Sequence, residues 1–315
     1  MRTTDLNLLP FRPLVSAWTG HSQTLLGHLI PSAALNAVFK QEVVTLSDGD
    51  ELLLEYKSGT ADITLSIYHG LGGDSQSDYV RRAANIALTL GWNVVLVNHR
   101  CVSVLAQAKR SYHSGRGDDA EAVIIWARKK FVGSKQVALG FSMSGSILLN
   151  LLTGRYGKLT PDVAIVINAP LDLGRSADLL SKGFSKIYDI HFFLVLKKLI
   201  KRNKAIRLPV IGGTRDIDDL YTASANGFLD RHDYYTQCSS LLHLENISSP
   251  IFVLTAADDP FVDFTNYQAA KWPDHVHLTY LKHGGHMGYI NRYSLENHGH
   301  RWLDYYLDRV FKTIT

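Results

Sequence analysis

Short apolar runs, separated by turn residues, dominate the hydrophobic pattern of the chain. Residues 63–68, 93–97, 136–139, 163–168 and 251–255 form such runs, and most of their positions are apolar. Near-continuous apolar runs of this length are typical of strands that are buried on both faces, as in a parallel sheet. We therefore predict that these five segments are strands of one sheet.

Helical periodicity occupies the intervals between several of these runs. Residues 79–90, 118–130 and 145–152 repeat apolar side chains at helical spacing. An alternation of strand and helix predicts a doubly wound α/β sheet. Residues 42–56 differ, because two extended runs surround Ser-Asp-Gly-Asp at 47–50, which predicts an antiparallel hairpin at one sheet edge.

The alternation of strands and helices stops between residues 171 and 244. Helical patterns occur at 190–202 and 220–227, but no clear strand is present. We predict one α/β domain over residues 1–315, with residues 171–244 inserted as a helical lid. Such a lid would cover the carboxyl edge of the sheet, where open α/β sheets bind their ligands.

Composition narrows the class of protein. The 315 residues are 46% hydrophobic and 20% charged, which is typical of a globular protein and excludes extensive disorder. The net charge of +4 is too small and too dispersed to indicate nucleic-acid binding. Cys101 and Cys238 allow one disulfide at most, and two reduced thiols are the simpler interpretation.

The hydrophobic pattern predicts neither a signal peptide nor a membrane-spanning segment. The first ten residues lack the apolar core of a signal peptide. No apolar stretch approaches the roughly 20 residues that span a bilayer. We therefore predict an intracellular, cytoplasmic protein.

A serine lies on the turn between a predicted strand and a predicted helix. Residues 140–145 read Gly-Phe-Ser-Met-Ser-Gly, with Ser142 at the tight turn. Such a turn projects the hydroxyl above the sheet and needs small neighbours. Gly140 fills the first small position, whereas Ser144 occupies the second in place of the usual glycine. Taken alone, this segment fits a plain turn as well as a nucleophile.

Two further segments follow predicted extended runs near the end of the chain. Asp258 and Asp259 lie just past residues 251–255, and His286 lies in the glycine-rich segment 283–288. Taken alone, the aspartates are typical of a turn, and the histidine of a protein surface. The histidines lack the i, i+4 spacing and the cysteine partners of a zinc site, so we predict no metal.

The chain order of these residues changes the interpretation. Ser142, Asp259 and His286 follow predicted strands in the order Ser, Asp, His, which is the pattern of α/β-hydrolase triads. The loop His-Gly-Leu-Gly-Gly at 69–73 follows an earlier strand. We predict that the Leu71 and Met143 amides form an oxyanion hole. No Gly-Lys-Ser/Thr follows this loop, which argues against a nucleotide phosphate site.

Short motifs along nearly the full length of the chain carry a family resemblance. They are Gly20-His21-Ser22-Gln23-Thr24, the loop 69–73 with Ser75 and Ser77-Asp78-Tyr79, His99-Arg100-Cys101, Ser111-Tyr112-His113-Ser114-Gly115 with Asp118-Asp119, Gly140-Phe141-Ser142-Met143, Asn168-Ala169-Pro170-Leu171-Asp172-Leu173, Asp258-Asp259-Pro260-Phe261 and His283-Gly284-Gly285-His286-Met287-Gly288. With these motifs the chain closely resembles the YheT-like branch of the α/β-hydrolases, which includes bacterial YheT esterases and eukaryotic proteins of the ABHD1/ABHD3 type. Two positions depart from the family pattern: Arg100-Cys101-Val102 replaces the usual Arg-Gly-Cys, and Ser144 replaces a glycine.

The resemblance implies a serine hydrolase without a cofactor, acting on small-molecule carboxylic esters with short or medium acyl chains, or on phospholipids. It places the triad acid in the Asp-Asp pair. Asp259 is our choice because Asp259-Pro-Phe-Val262 fits the common Asp-x-x-Val spacing, with Asp258 as the alternative. Arg100, Tyr112 and His113 are expected to build a polar network beneath the site.

Three functions compete at this stage. The leading hypothesis is ester hydrolysis through an acyl-enzyme. Transfer of the acyl group to an alcohol uses the same intermediate, and a non-catalytic binding protein would retain only the scaffold.

The basic amphipathic run 191–202 fits either a lipid surface or, as we favour, the inner wall of the lid with solvated lysines. The sequence does not indicate an oligomeric state.

Overall fold

The computed structural model describes residues 6–32, 35, 37–203 and 207–315. Its strands are β1 (Lys40–Thr45), β2 (Glu51–Lys57), β3 (Ile63–Tyr68), β4 (Asn93–Asn98), β5 (Lys135–Phe141), β6 (Val163–Ile167), β7 (Ile251–Ala256), β8 (Val276–Leu281), β9 (Ile290–Leu295) and β10 (Gly299–Arg301). Its α-helices are α1 (Gly20–Leu29), α2 (Asp78–Thr89), α3 (Gly117–Lys130), α4 (Met143–Leu152), α5 (Leu173–Leu180), α6 (Lys186–Asn203), α7 (Thr214–Ile217), α8 (Ala223–Ala225), α9 (Arg231–Cys238), α10 (Phe264–Ala269) and α11 (Trp302–Ile314). Short 3₁₀ turns cover Val15–Ala17, Gly183–Ser185 and Leu241–Asn246, and a π-helical turn covers Asp218–Thr222.

The main sheet has eight strands in the order β1-β2-β4-β3-β5-β6-β7-β8. Strands β3 to β8 pair in parallel, whereas β1 pairs with β2, and β2 with β4, in antiparallel fashion. The predicted α/β sheet, its five apolar strands and its edge hairpin are therefore confirmed. The third predicted strand is longer than its apolar run, and α4 begins at Met143 rather than at residue 145.

The apolar runs are continuous because both faces of the sheet are covered by helices. Every residue of β4 is buried. Val94 and Leu96 pack in a cluster with side chains of α2 and α11, while Val95 and Val97 pack on the opposite face with side chains of α3 and α4. Successive side chains of a strand point to opposite faces, so a strand between two helical layers must be apolar throughout.

Helices α5 to α9 lie between β6 and β7, in the interval where the sequence predicts an insertion. The described residues of 171–244 contain no strand. The predicted helix at 190–202 falls within α6, which begins four residues earlier and ends one residue later. The pattern at 220–227 corresponds to part of the π-helical turn followed by the short helix α8.

The two cysteines remain separate thiols in the fold. Cys101 and Cys238, both within the described ranges, are buried thiols that form no disulfide with each other. Burial raises the pKa of Cys238 to about 12, so its thiol stays protonated at neutral pH.

Within the described part of the chain, no helix is both long and apolar enough to span a bilayer.

Candidate active site

The sharp turn between β5 and α4 carries Ser142. Its backbone has φ +53° and ψ −120°, a conformation that costs energy for a residue with a side chain. A Cβ at Gly140 would lie 2.5 Å from the Ser144 carbonyl oxygen, and one at Gly145 would lie 2.6 Å from the Ala169 Cβ. Both positions therefore require glycine, and the turn places Ser142 at the carboxyl edge of the sheet.

Ser142, His286 and Asp259 come together at this edge. The Nε2 atom of His286 lies 2.9 Å from the Ser142 Oγ, and its Nδ1 lies 2.8 Å from the Asp259 Oδ2. The three residues follow β5, β8 and β7, three strands of the same parallel sheet. The ring of Phe261 packs beside the imidazole, with 4.6 Å between the two ring centroids.

The Asp259 carboxylate is fully buried and saturated with hydrogen bonds. Its Oδ1 accepts from the backbone amides of Phe261 at 2.8 Å and Val262 at 3.1 Å. Its Oδ2 accepts from the Asn168 amide group at 2.7 Å, besides contacting His286. Together these donors fix the carboxylate against the imidazole.

The neighbouring acid, Asp258, serves a different histidine. Its Oδ2 lies 3.3 Å from the Nδ1 of His283, and its Oδ1 accepts from the Gly285 amide at 2.9 Å. About a fifth of its side chain is exposed, whereas none of the Asp259 side chain is. Asp258 therefore holds the loop that carries His286 without touching the His286 ring.

Helix α1 holds the same loop from the N-terminal side. The Thr24 hydroxyl accepts from the His286 amide at 2.9 Å. The buried Gln23 side chain accepts from the Ile290 amide at 2.6 Å. A Cβ at Gly20 would lie 1.7 Å from the Asp258 carbonyl oxygen, so only glycine allows this approach. These contacts give the motif at 20–24 a structural role at the site.

In the loop 69–73, the backbone amides on either side of Leu71 donate to tyrosine hydroxyls. The Gly70 amide donates to the Tyr79 hydroxyl at 2.9 Å, and the Gly72 amide donates to the Tyr112 hydroxyl at 2.8 Å. Leu71 lies between them, and Leu71 and Met143 line the same cavity as Ser142. The two tyrosines therefore fix the backbone on both sides of Leu71.

Ser144, the residue that replaces the usual glycine, joins this loop to α4. Its buried hydroxyl donates to the His69 carbonyl and lies 2.7 Å from the His99 Nε2. The His99 amide in turn points to the His69 ring at 3.4 Å. Burial lowers the pKa of His69 to about 4 and holds that of His99 well below its usual value, so both rings are neutral. Because the Ser144 proton goes to the carbonyl, the His99 Nε2 carries the proton that Ser144 accepts.

A cavity extends from Ser142 and His286 beneath the inserted helices. Its empty space, including the part open to solvent, is about 1060 Å³. Apolar side chains form most of the wall, chiefly from α5 and α6. They include Leu173, Ala177, Leu180, Phe192, Leu196, Leu199 and Ile200.

The polar side chains expected beneath the site have separate partners. Arg100 is buried and forms ion pairs with three carboxylates, those of Asp48, Asp50 and Asp119. Tyr112 supports the loop 69–73, as described above. The His113 Nδ1 accepts from the Gly115 amide at 3.1 Å, and the residue lines the cavity.

Sequence reasoning assigned no role to several residues that support the site. The Asn168 amide donates to Asp259, and its oxygen accepts from the Tyr289 hydroxyl at 2.9 Å. The family resemblance could have identified three of these residues, because its motifs include Asn168, Thr24 and Tyr79. Tyr289 lies just outside them and has no such signal.

Comparisons with known proteins identify relatives of the chain. No family model matches the chain. The Escherichia coli YheT protein, which is named as an esterase, is 31% identical over 96% of this chain and 94% of its own length. The phospholipase ABHD3 of Mus musculus is 27% identical over 96% of this chain and 77% of its own.

Solved structures support the fold independently. An esterase of Pyrococcus furiosus superposes with a TM-score of 0.63 at 16% identity, over 91% of this chain and 98% of its own. At that identity the likeness establishes the fold alone. The fold and the sequence relatives together show that the chain belongs to the YheT-like branch of the α/β-hydrolases and is a carboxylic ester hydrolase.

Proposed function

We propose that the enzyme cleaves esters of short to medium acyl chains through Ser142, His286 and Asp259. The observation that carries this proposal is the pair of hydrogen bonds, 2.9 and 2.8 Å long, that joins the three side chains. This spacing lets the His286 Nε2 accept the Ser142 proton while the Ser142 Oγ attacks the ester carbonyl. Asp259 stabilises the imidazolium that results.

The negative charge of the tetrahedral intermediate falls on the former carbonyl oxygen. The amides of Leu71 and Met143 are the donors that we assign to this oxyanion. When the intermediate collapses, the carbon–oxygen bond to the alcohol breaks and His286 returns the proton to the leaving oxygen. Water, deprotonated by His286, then attacks the acyl-Ser142 ester and releases the acid.

The apolar cavity wall is the part that we assign to the acyl chain, with the insertion 171–244 as the lid. Each methylene group that it buries contributes about 0.8 kcal/mol to binding. We expect kcat/KM for p-nitrophenyl esters to rise with acyl length and then fall once the cavity is full, with the optimum at short to medium chains. Measuring esters from two to sixteen carbons tests this expectation.

Ala177→Phe provides the matched variant for that series. Ala177 is buried in the wall on α5, so a phenyl ring there fills part of the cavity. The optimum should move to shorter chains. A monotonic rise to sixteen carbons, in either protein, would contradict an enclosed acyl pocket.

Lipid hydrolysis is the second candidate function, because the outer face of α6 is partly apolar. Ile187 and Leu194 are 56% and 50% exposed, and Lys198 and Lys201 are also exposed. Such a surface suits contact with a bilayer. The relative named as a phospholipase points in the same direction. A sharp rise in rate once the ester forms micelles would favour this function.

Acyl transfer to an alcohol shares the same acyl-enzyme. The outcome depends on whether water or alcohol reaches the Ser142 ester. Product analysis in the presence of ethanol separates the two reactions, because only transfer yields the ethyl ester. We expect the free acid to be the main product.

Ser144→Ala tests the link between α4 and the loop 69–73. The variant leaves the His99 Nε2 proton and the His69 carbonyl without their buried partner, which costs about 1–3 kcal/mol of stability. We expect kcat to fall about tenfold with KM nearly unchanged, because a loosened oxyanion hole weakens only transition-state contacts.

Ser146→Ala is the control, since the Ser146 hydroxyl also makes a buried hydrogen bond, to the Pro170 carbonyl at 2.6 Å. It should lose stability without the loss in kcat. Equal kcat values for both variants would make Ser144 a purely structural residue.

A further inference from the structure

The cavity that begins at Ser142 also contains a polar region, which we call the polar end. It is formed by Ser111, Asp218, Tyr221 and Tyr235, all of which line the cavity. Two of them, Asp218 and Tyr221, belong to the π-helical turn Asp218–Thr222. π-Helical turns are rare and are frequent at functional sites. An acyl pocket for plain hydrocarbon has no need of such groups.

Asp218 is a carboxyl group in the cavity wall that forms no ion pair with a described residue. Its Oδ2 accepts from the Tyr235 hydroxyl at 2.7 Å, and the Thr222 side chain is a second hydrogen-bonding neighbour. No ion pair among the described residues includes Asp218, because Arg215 and Arg231 pair with Asp178 and Asp219 instead. Burial raises the pKa of Asp218 to about 6, so the group is mostly ionised at neutral pH.

Tyr221 adds a hydroxyl that lacks a well-formed hydrogen bond to the described residues. The residue is only 2% exposed, and its hydroxyl lies near Ser111 without a hydrogen bond of normal geometry to any described residue. A buried hydroxyl without a partner costs free energy, and it is usually satisfied by a water molecule or a ligand. The Asp218 carboxylate has about four acceptor positions, more than its neighbours use, and the Tyr221 hydroxyl can also accept a hydrogen bond.

We infer that the polar end binds a primary ammonium group, so that the substrates of this enzyme include esters whose chain carries an amino group. The inference rests on the proposed function, since it places this group in the same cavity as Ser142. An ammonium group brings a positive charge to Asp218 and three N–H donors for the acceptors around it. Tyr234 and Tyr235 also line the cavity, and aromatic rings favour cations.

Other occupants fit this chemistry less well. A carboxylate on the substrate would face the like charge of Asp218. A metal ion needs several protein ligands, and among the described residues no three His, Cys, Asp or Glu side chains come together for one. His113, which also lines the cavity, is no competing cation, because burial holds its pKa well below its usual value.

Binding to the full-length wild-type protein, measured by calorimetry at about pH 8, tests the inference without turnover. The probes are butyl-, hexyl- and octylammonium, the matching 1-alkanols, and the matching alkyltrimethylammonium ions. We expect the best primary ammonium ion to bind at least tenfold more tightly than its alkanol, a difference of about 1.4 kcal/mol. The trimethylammonium ions, which lack N–H donors, should bind more weakly than the primary ions.

Asp218→Asn should abolish the preference for ammonium over alkanol. Asp219→Asn is the matched control, because Asp219 is adjacent and has the same charge but is exposed and paired with Arg231. Its preference should equal that of the wild type. Tyr221→Phe, which removes only the hydroxyl, should lower the preference about threefold.

Equal affinity for ammonium ions and alkanols in the wild type overturns the inference, whether or not the Asp218 variant folds. Equal effects of the Asp218 and Asp219 substitutions overturn it as well. Neither result affects the assignment of Ser142, because that assignment is tested by covalent labelling. If the inference holds, p-nitrophenyl esters of ω-amino acids should have a higher kcat/KM than alkanoate esters of matched length.

Discussion

Replacement of Ser142 by alanine is expected to lower esterase kcat on the order of a million-fold, to the level of the uncatalysed background. The reason is that no other hydroxyl lies within reach of the His286 Nε2 in the described hydrogen bonds. The rate of hydrolysis of a p-nitrophenyl ester at saturating concentration measures the loss.

The fold of this variant should be unaffected, because His286 is the one described residue to which the Ser142 hydroxyl hydrogen-bonds. The melting temperature is therefore the control. Residual activity above a few per cent would assign the nucleophile to another residue. Ser144 is the nearest serine in the chain, but its hydroxyl is buried against His69 and His99.

Replacement of Asp259 by asparagine should lower kcat about ten-thousand-fold. The Asp259 Oδ1 accepts two backbone amides, so the oxygen of the new side chain must stay there and its NH₂ group must face His286. That NH₂ group can only donate, which forces the His286 proton onto Nε2. With a proton on Nε2, the ring cannot accept the proton of Ser142.

Asp258→Asn is the matched control for this result. It makes the same chemical change one residue earlier, and the affected contacts are those to His283 and Gly285. We expect a loss of less than about tenfold, because the imidazole keeps its Asp259 partner. A larger loss for Asp258→Asn than for Asp259→Asn would assign the triad acid to Asp258.

The main sheet could be predicted from the sequence because its physical cause is local. A strand covered by helices on both faces must be apolar at successive positions, and β3, β4, β6 and β7 are buried throughout. The hairpin β9–β10 was not predicted. Its strand β9 carries three exposed residues, Arg292 to Ser294, so it lacks an apolar run.

The order of serine, aspartate and histidine along the chain was the feature that predicted the candidate site. Ser142, Asp259 and His286 each follow a strand of a parallel sheet, and the carboxyl ends of such strands meet at one edge. The choice between Asp258 and Asp259 rested on spacing within the family. The separate contacts of the two side chains depend on how the loop 283–288 packs against α1, which no local pattern reveals.

The supporting contacts required the three-dimensional structure. Ser144 reaches His69 across 75 residues of sequence, and Thr24 reaches His286 across 262. The polar end of the cavity is assembled from residues on either side of β5 and β6, more than 100 positions apart. Contacts over such separations follow from topology, and a single sequence carries no direct record of them.

The central claim is that Ser142 is the nucleophile that becomes acylated. The direct measurement is mass spectrometry of the full-length protein after reaction with a fluorophosphonate, followed by peptide mapping. We predict one adduct per chain, on the Ser142 hydroxyl, and no adduct on Ser142→Ala. An adduct on another serine, or no adduct on the folded wild-type enzyme, would contradict the account.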